Sequence, residues 1–221
     1  MKLLLPLLPD ENELLTGDIE FLHQSQLSEE RVQGRKFSNL FCEAEDFSHM
    51  IFSGVKFENC RFWNCSFERA EFKDVIFQTC DISGCDLNNN FTERVSFFQC
   101  KGIGTKFTEG VNKHLLIHEC NMNYANFDSS RFENIRIEQT SLENSNISQC
   151  RCKGVKWSNA DLKGASFFGT SLRGMDFSDS VITELLLSDD SRELKGAVVD
   201  LYQAAELAKR LGIIIKDIEL Q

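Results

Sequence analysis

Nine cysteines are the residues of this sequence best suited to chemistry, because thiolates bind zinc, form disulfides and act as nucleophiles. Seven of them stand at positions that are multiples of five, and the other two stand two residues further on. The first group is Cys60, Cys65, Cys80, Cys85, Cys100, Cys120 and Cys150, and the second is Cys42 and Cys152. The cysteines therefore follow a five-residue period. The secondary structure that produces this period determines whether they can bind a metal, form disulfides or act as nucleophiles.

The remaining chemistry-bearing residues form no constellation. His23, His49, His114 and His118 lack the spacing of a metal site or of a nucleophile with its base. The sequence also contains no glycine-rich phosphate loop. We expect a protein that is not an enzyme and that uses no metal or cofactor.

The five-residue period runs from Leu22 to Leu187, about three quarters of the chain. Of its 34 centres, 31 are apolar, and the exceptions are Thr92, Gly102 and Asn112. A small residue such as Ala70 or Cys80 precedes most centres by two positions. Five matches neither the 3.6-residue period of a helix nor the period of two in a flat strand. The pattern predicts a solenoid whose turns point two side chains inward and three outward.

A solenoid accounts for the cysteines, because all nine fall on inward positions. Stacked turns would space Cys60, Cys80, Cys100 and Cys120 along a line at about 4.8 Å, whereas zinc needs converging ligands. We expect small buried thiols in the reducing cytoplasm, although stacked neighbours are close enough for a disulfide. The apolar start at 1–8 has no signal cleavage site, and we expect no membrane segment.

The repeats resemble those of the pentapeptide-repeat family, whose consensus is A(D/N)LXX. The motifs are AEFKD at 70–74, CDISG at 80–84, CDLNN at 85–89, ANFDS at 125–129, ADLKG at 160–164 and ASFFG at 165–169. The resemblance implies an all-β solenoid, a right-handed quadrilateral β-helix with four pentapeptides per coil. We expect an N-terminal cap over 1–30, the β-helix over 31–199 with a loop at 188–193, and a C-terminal helix and strand over 200–221.

The stretch 90–118 departs from the pattern. Thr92, Gly102 and Asn112 fail as apolar centres, while apolar residues occupy nominally outward positions. These residues are Phe91, Phe98, Ile103, Val111 and Leu116. A protruding loop would explain both departures, and simple sequence drift is the alternative.

The charges predict a surface for a protein partner. One face of a four-sided rod would collect Asp46, Glu68, Asp86, Glu109 and Asp128, which we call the acidic stripe, and the next face would be mildly basic. A net charge of −10 disfavours nucleic acid as a ligand and favours a basic partner such as a DNA-binding protein. A solvated face that only maintains solubility is the alternative.

The C-terminal segment predicts a helix that begins with a capping box at Asp200 and Gln203 and ends near Gly212. Its apolar residues, followed by a short strand at 213–215, predict an isologous dimer contact. A cap folded onto its own rod is the alternative. The candidate dimerisation residues are Leu201, Ala204, Leu207, Ala208, Leu211, Ile213 and Ile215.

The run GAVVDLYQAAELAKRLGI at 196–213 resembles the end of the Qnr quinolone-resistance proteins, and NYANF at 123–127 is similar to a Qnr coil. That resemblance implies a dimeric, DNA-mimicking rod that binds DNA gyrase and topoisomerase IV and protects them from fluoroquinolones. The sequence departs from the Qnr pattern, since it leaves no obvious room for the two long projecting loops to which the resemblance assigns protection. The alternative function is a structural or scaffold repeat protein with an unrelated partner.

Overall fold

The computed structural model describes residues 2–216. The chain opens with an extended segment, β1 (Leu15–Gly17) and α1 (Ile19–Leu27), and it closes with a 3₁₀ turn (Arg192–Leu194) and α2 (Leu201–Arg210). Twelve strands lie between these ends. They are β2 (Val32–Gln33), β3 (Arg35–Ser38), β4 (Phe41–Glu43), β5 (Ile51–Glu58), β6 (Arg61–Trp63), β7 (Glu71–Gln78), β8 (Phe91–Phe98), β9 (Val111–His118), β10 (Arg131–Glu133), β11 (Arg136–Glu138), β12 (Arg151–Lys153) and β13 (Lys156–Ser158).

The strands pair in parallel with a constant offset of twenty residues. Phe52 pairs with Phe72, Phe72 with Thr92, and Thr92 with Asn112. Isolated bridges keep this offset from Asp46 and Ser66 to Ser166 and Leu186. Twenty residues make four pentapeptides per coil, so the chain is the predicted quadrilateral β-helix, with about seven coils. Leu22 and Leu27 belong to α1 rather than to a coil.

We number the four faces of the β-helix by their buried centres. Face 1 holds Phe52 and Phe72, face 2 holds Phe57 and Phe77, face 3 holds Phe62 and Ile82, and face 4 holds Phe67 and Leu87. Between faces the backbone takes a positive φ two residues after the centre, as at Asn59 (53°), Gly84 (71°) and Asn89 (56°). Glycine and asparagine adopt this left-handed conformation at the lowest cost, which explains their recurrence at the corners.

The core consists of stacked centres and of small side chains that satisfy buried carbonyl groups. Phe57 stacks on Phe37 and on Phe77, with ring centroids 5.2 and 5.0 Å apart. At the small positions, Thr105 Oγ1 donates to the Ile82 carbonyl at 2.8 Å, and Ser130 Oγ donates to the Phe107 carbonyl at 2.6 Å. Because a buried carbonyl without a partner is costly, these positions favour Cys, Ser and Thr beside Ala.

The stretch 90–118 does not protrude, so the predicted loop is wrong. Phe91 and Val111 begin β8 and β9, which pair in the same twenty-residue register as their neighbours. The polar centres stay inside, where Thr92 Oγ1 donates to Asn112 Oδ1 at 3.0 Å. Gly102 leaves room for Met122, whose sulfur would lie 2.5 Å from an added Cβ. The coil accommodates all three exceptions without an insertion.

The N-terminal segment differs from the predicted cap. Only β1 and α1 cover the first coil, with Leu22 buried against it. Residues 2–13, which we call the strap, instead run along the corner between faces 1 and 2. The Leu7 amide donates to Asp74 Oδ1 at 3.0 Å and the Leu4 amide to His114 Nδ1 at 3.2 Å.

The apolar residues at outward positions of 90–118 are buried or half-buried. Leu116 lies on face 2, beside the corner that the strap follows, and its exposed fraction is 7%. Phe91, Phe98, Ile103 and Val111 are half-buried on three different faces. The surface of this stretch is therefore less exposed than outward positions of the five-residue period suggest.

The C-terminal end contains a shift in register. Asp176 bridges to Val198, an offset of 22 residues, because the turn around 188–194 adds two. Glu193 orders this turn by accepting hydrogen bonds from the Gly169 amide at 2.9 Å and the Ser188 hydroxyl at 2.7 Å. The strand predicted at 213–215 is wrong, since these residues follow α2 as exposed irregular backbone. The remainder of that prediction, 217–221, lies outside the described residues.

No helix among residues 2–216 combines the length and the hydrophobicity that crossing a bilayer requires.

Candidate partner-binding surfaces

All five residues of the acidic stripe lie on face 4. The register of isolated bridges puts Asp46, Ser66, Asp86 and Lys106 in one column. Glu68 and Asp128 stand in a second column, one residue after their centres, and Glu109 lies at a corner. Neutral or basic residues therefore separate the carboxylates along each column.

Two carboxylates of the stripe also hold their own turns. Asp46 Oδ1 accepts the Ser48 amide, and Asp86 Oδ1 accepts the Asn88 amide, both at 2.9 Å. The bonds from Ser48 hold the pKa of Asp46 below its usual range. Lys106 approaches Asp86 to 4.0 Å, and Arg69 approaches Glu68 to 3.6 Å. The stripe is thus weakly acidic and partly structural.

The residues proposed for dimerisation surround the C-terminal end of the rod. Leu201, Ala204, Leu211, Ile213 and Ile215 are exposed, and Leu207 and Ala208 are half-buried. Of eighteen large apolar side chains exposed in the described residues, nine lie at or after Val181, and Leu201 and Tyr202 are 80% and 82% exposed. The apolar surface is therefore concentrated at one end, as expected for an interaction site.

Polar contacts hold α2 on the last coil. Asp200 and Gln203 form the predicted capping box. Gln203 Nε2 donates to the carbonyls of Phe177 and Ser180 at 2.9 and 2.7 Å, and the Arg210 guanidinium donates to those of Leu185 and Leu187 at 3.1 Å. These donors cover open edge carbonyls. A groove of about 550 Å³ remains between α2 and the coil end, lined by Val181, Leu185, Tyr202 and Leu207 among others.

The cysteines lie in the core. All but the half-buried Cys152 are buried. Burial raises the pKa of Cys42, Cys150 and Cys152 to about 12, so these thiols are poor nucleophiles at neutral pH. In the stacked column, the Cys80 amide donates to the Cys100 sulfur at 3.4 Å and the Cys100 amide to the Cys120 sulfur at 3.3 Å. Among residues 2–216 no three His, Cys, Asp or Glu side chains are placed to hold a metal ion.

Four exposed aromatic residues were missed by the sequence reasoning. Phe41 and Trp63 pack edge to face on face 3, with centroids 5.7 Å apart. Tyr124 and Phe168 are exposed on faces 3 and 4. The sequence does indicate them, because each is a large aromatic residue at an outward position of the repeat, and partner-binding surfaces are rich in such residues.

Comparison with known proteins agrees with the repeat architecture. A family model described as "Pentapeptide repeat region" matches residues 50–127, and one described as "Pentapeptide repeats (8 copies)" matches residues 145–183. Together they cover just over half of the chain. The chain belongs to the pentapeptide-repeat family.

Several solved structures are similar to the chain. A trypsin-treated form of QnrB1, a plasmid-mediated fluoroquinolone resistance protein, is similar with 21% identity and a TM-score of 0.52 over 82% of this chain and all of that chain. Full-length QnrB1 has 24% identity and a TM-score of 0.49, covering 90% and 95% of the two chains. HetL, involved in heterocyst differentiation regulation in the cyanobacterium Nostoc, has 14% identity and a TM-score of 0.47, covering 83% and 97%. No curated protein matches the sequence.

Proposed function

We propose that this pentapeptide-repeat protein is a homodimer that binds DNA gyrase and topoisomerase IV as a DNA mimic and protects them from fluoroquinolones. The observation that carries the proposal is the exposed apolar end around α2, because it lies in the segment whose sequence resembles the end of the Qnr proteins. Two copies joined there would form one continuous rod. We expect neither nucleic acid nor a membrane as the partner of this surface.

Charge limits what the rod imitates. Seven coils spaced about 4.8 Å apart make a rod of about 34 Å, and duplex DNA carries about 20 charges over that length. The chain has a net charge of −10. Recognition would therefore rest on rod shape and on the local acidic stripe rather than on a full replica of DNA charge.

The unbroken register favours a second candidate function. The twenty-residue offset from Asp46 to Leu186 leaves no projecting loop in the coils, and the Qnr resemblance assigns protection to such loops. A scaffold that binds an unrelated protein, or a topoisomerase ligand without protective activity, is the resulting alternative.

A gyrase supercoiling assay with and without ciprofloxacin tests the proposal. We expect micromolar protein to restore supercoiling in the presence of the drug. Inhibition without protection would support binding alone, and no effect together with no binding would favour the scaffold.

The contribution of the stripe requires variants that keep the turns intact. Asp46→Asn with Asp86→Asn removes two charges but retains an oxygen that accepts the Ser48 and Asn88 amides. Adding Glu68→Gln and Asp128→Asn should weaken gyrase binding about tenfold without changing thermal stability. The matched control for the Asp46→Asn, Asp86→Asn pair is Glu143→Gln with Asp161→Asn on face 3, and equal loss in these two double variants would reject the stripe as the contact.

The dimer is tested with substitutions that leave the rod intact. Leu201→Asp with Leu211→Asp changes two exposed residues, and we expect light scattering to give the monomer mass. Lys209→Asp, on the same helix, serves as the charge control and should remain dimeric. A dimer that survives the double substitution would assign α2 to capping alone.

A further inference from the structure

One column of side chains on face 2 shows what the corner between faces 1 and 2 can bind. The column begins with Lys36 and Lys56, continues through Ile76, Ser96 and Leu116, and reaches Arg136 and Lys156, after which Asp176 follows at the same offset. Glu11 of the strap reaches both lysines, at 3.2 and 3.1 Å. A single carboxylate, in the turn at 11–13 of the strap, thus bridges two cations on adjacent coils. The hydrogen bonds from Lys56 and Lys36 hold the pKa of Glu11 below its usual range.

The strap covers only the first part of this corner. Its contacts run from Lys36 and Lys56 past Asp74 to the coil of His114. Beyond that coil the corner and its two faces carry six cations, which we call the cationic edge. They are Arg131, Arg136, Arg151, Lys153, Lys156 and Arg173.

Charge pairing changes at the same place. Between Lys36 and Lys106, seven of the eight Lys and Arg residues have a carboxylate within 4 Å, and Arg61 is the exception. On the cationic edge, Lys153 reaches Glu133 at 3.3 Å and Arg136 reaches Glu138 at 3.8 Å. No ion pair within residues 2–216 involves the other four.

Register increases the cost of leaving these cations unpaired. Arg131 pairs directly with Arg151, and Arg136 pairs with Lys156, so like charges lie on adjacent coils. Only Arg136 has a nearby carboxylate, Glu138, at 3.8 Å. Directly opposed like charges destabilise a sheet, and a ligand with carboxylates would remove that cost.

We infer that the cationic edge is a docking surface for an acidic, extended polypeptide segment of a partner protein. The strap is the precedent, since its Glu11 occupies the position over Lys36 and Lys56 that such a segment would take over Arg136 and Lys156. Nucleic acid fits less well, because the chain is strongly acidic overall and the exposed aromatic residues that could stack bases lie on faces 3 and 4 and on α2, away from the cationic edge. This surface is separate from the acidic stripe and from α2, and it does not depend on topoisomerase binding.

A labelled peptide tests the inference directly. The probe is fluorescein-labelled oligoglutamate of about ten residues, which when extended spans about 33 Å and exceeds the three coils concerned. We expect saturable anisotropy at low salt that weakens as salt is raised. Arg131→Glu, Arg151→Glu and Lys156→Glu together should weaken binding at least about tenfold, the size expected for three exposed ion pairs.

A matched variant and a second probe make the result decisive. Arg61→Glu, Arg69→Glu and Lys106→Glu change net charge equally but lie on faces 3 and 4, and binding should change less than about threefold. Arg131→Gln, Arg151→Gln and Lys156→Gln give the same answer without introducing new carboxylates. Equal loss in the two charge-reversed sets would overturn the inference as general charge attraction. Tighter binding of a labelled DNA duplex, lost in the edge variant, would overturn it in favour of nucleic acid.

Discussion

The coils at 35–78 and those at 91–178 share one backbone but differ in what fills and surrounds it. In the first region eight of nine centres are Phe, whereas in the second only six of eighteen are. The strap follows the first region and ends at the coil of His114, near the start of the second, while the cationic edge further along the second region has no such cover. Packing and charge compensation are therefore concentrated near the N-terminus, and the second region retains unpaired charge and a polar core. Stability and binding capacity occupy different parts of one regular rod.

The largest expected effect is on the free energy of unfolding, when equivalent core substitutions are made in the two regions. Phe57 has four aromatic neighbours within 5.7 Å, whereas Phe177 has Trp157 at 5.9 Å and Phe167 at 6.3 Å. We expect Phe57→Ala to lower the free energy of unfolding by about 4 kcal/mol and Phe177→Ala by about 3 kcal/mol, measured by urea denaturation. Equal or reversed losses would contradict the contrast in packing.

The next effect concerns the ion pair beneath the strap. The Arg94 guanidinium forms two bonds to Asp74, at 2.6 and 2.7 Å, and both side chains are largely buried. Arg94→Ala should cost about 2–3 kcal/mol, because it leaves a buried carboxylate without its cation. The control Lys163→Ala breaks an exposed pair with Glu184 and should cost less than about 1 kcal/mol.

The pH dependence of thermal stability tests the same Asp74 and Arg94 ion pair. Burial tends to raise the pKa of Asp74, but the bonds from Arg94 and the Leu7 amide outweigh it, so the folded pKa lies below the usual value. Its stabilising contribution is present above the unfolded pKa of about 3.9 and is lost as pH falls through the folded pKa. In Asp74→Asn, the melting temperature should fall less steeply below about pH 5 than in the wild type. Parallel curves would show that Asp74 is not linked to acid unfolding.

A smaller effect, of opposite sign, is expected in the polar core. Asn112 Nδ2 and the Asn90 amide group are buried without a hydrogen-bond partner in the described chain. Thr92→Val with Asn112→Leu restores apolar centres and should raise the free energy of unfolding by about 1–2 kcal/mol. Destabilisation would instead show that the Thr92 and Asn112 bond is needed for coil register.

The smallest expected effect tests the strap itself. Leu7→Pro removes the amide that donates to Asp74 and should cost about 1 kcal/mol. Hydrogen exchange should then increase at Leu4, whose amide is held by His114. Leu5→Pro removes an amide on the same strap for which the structure shows no acceptor, and it should leave exchange at Leu4 unchanged.

The sequence predicted what is local and periodic. Coils, corners, buried cysteines and the capping box at Asp200 all follow from residues within one or two repeats. Prediction was wrong where the deciding contact is distant. The strap was predicted as part of a cap, but its amide at Leu4 donates to His114, which lies 110 positions along the chain. Once the period was known, the charged residues could be assigned to faces. The weak acidity of face 4 and the unpaired cations of the cationic edge do not follow from spacing. Both depend on ion pairs, and these depend on how far side chains reach between coils.

The strap changes how the rod should come apart. In a solenoid each repeat contacts only its neighbours, so terminal repeats can unravel one after another. Here one segment touches the coils of Lys36, Lys56, Asp74 and His114 together, so loss of any of these coils also breaks contacts with the others. The N-terminal coils should therefore unfold as a single cooperative block, and fraying should begin beyond His114. A partner that binds at the C-terminal end would cover the end from which the coils can unfold one after another.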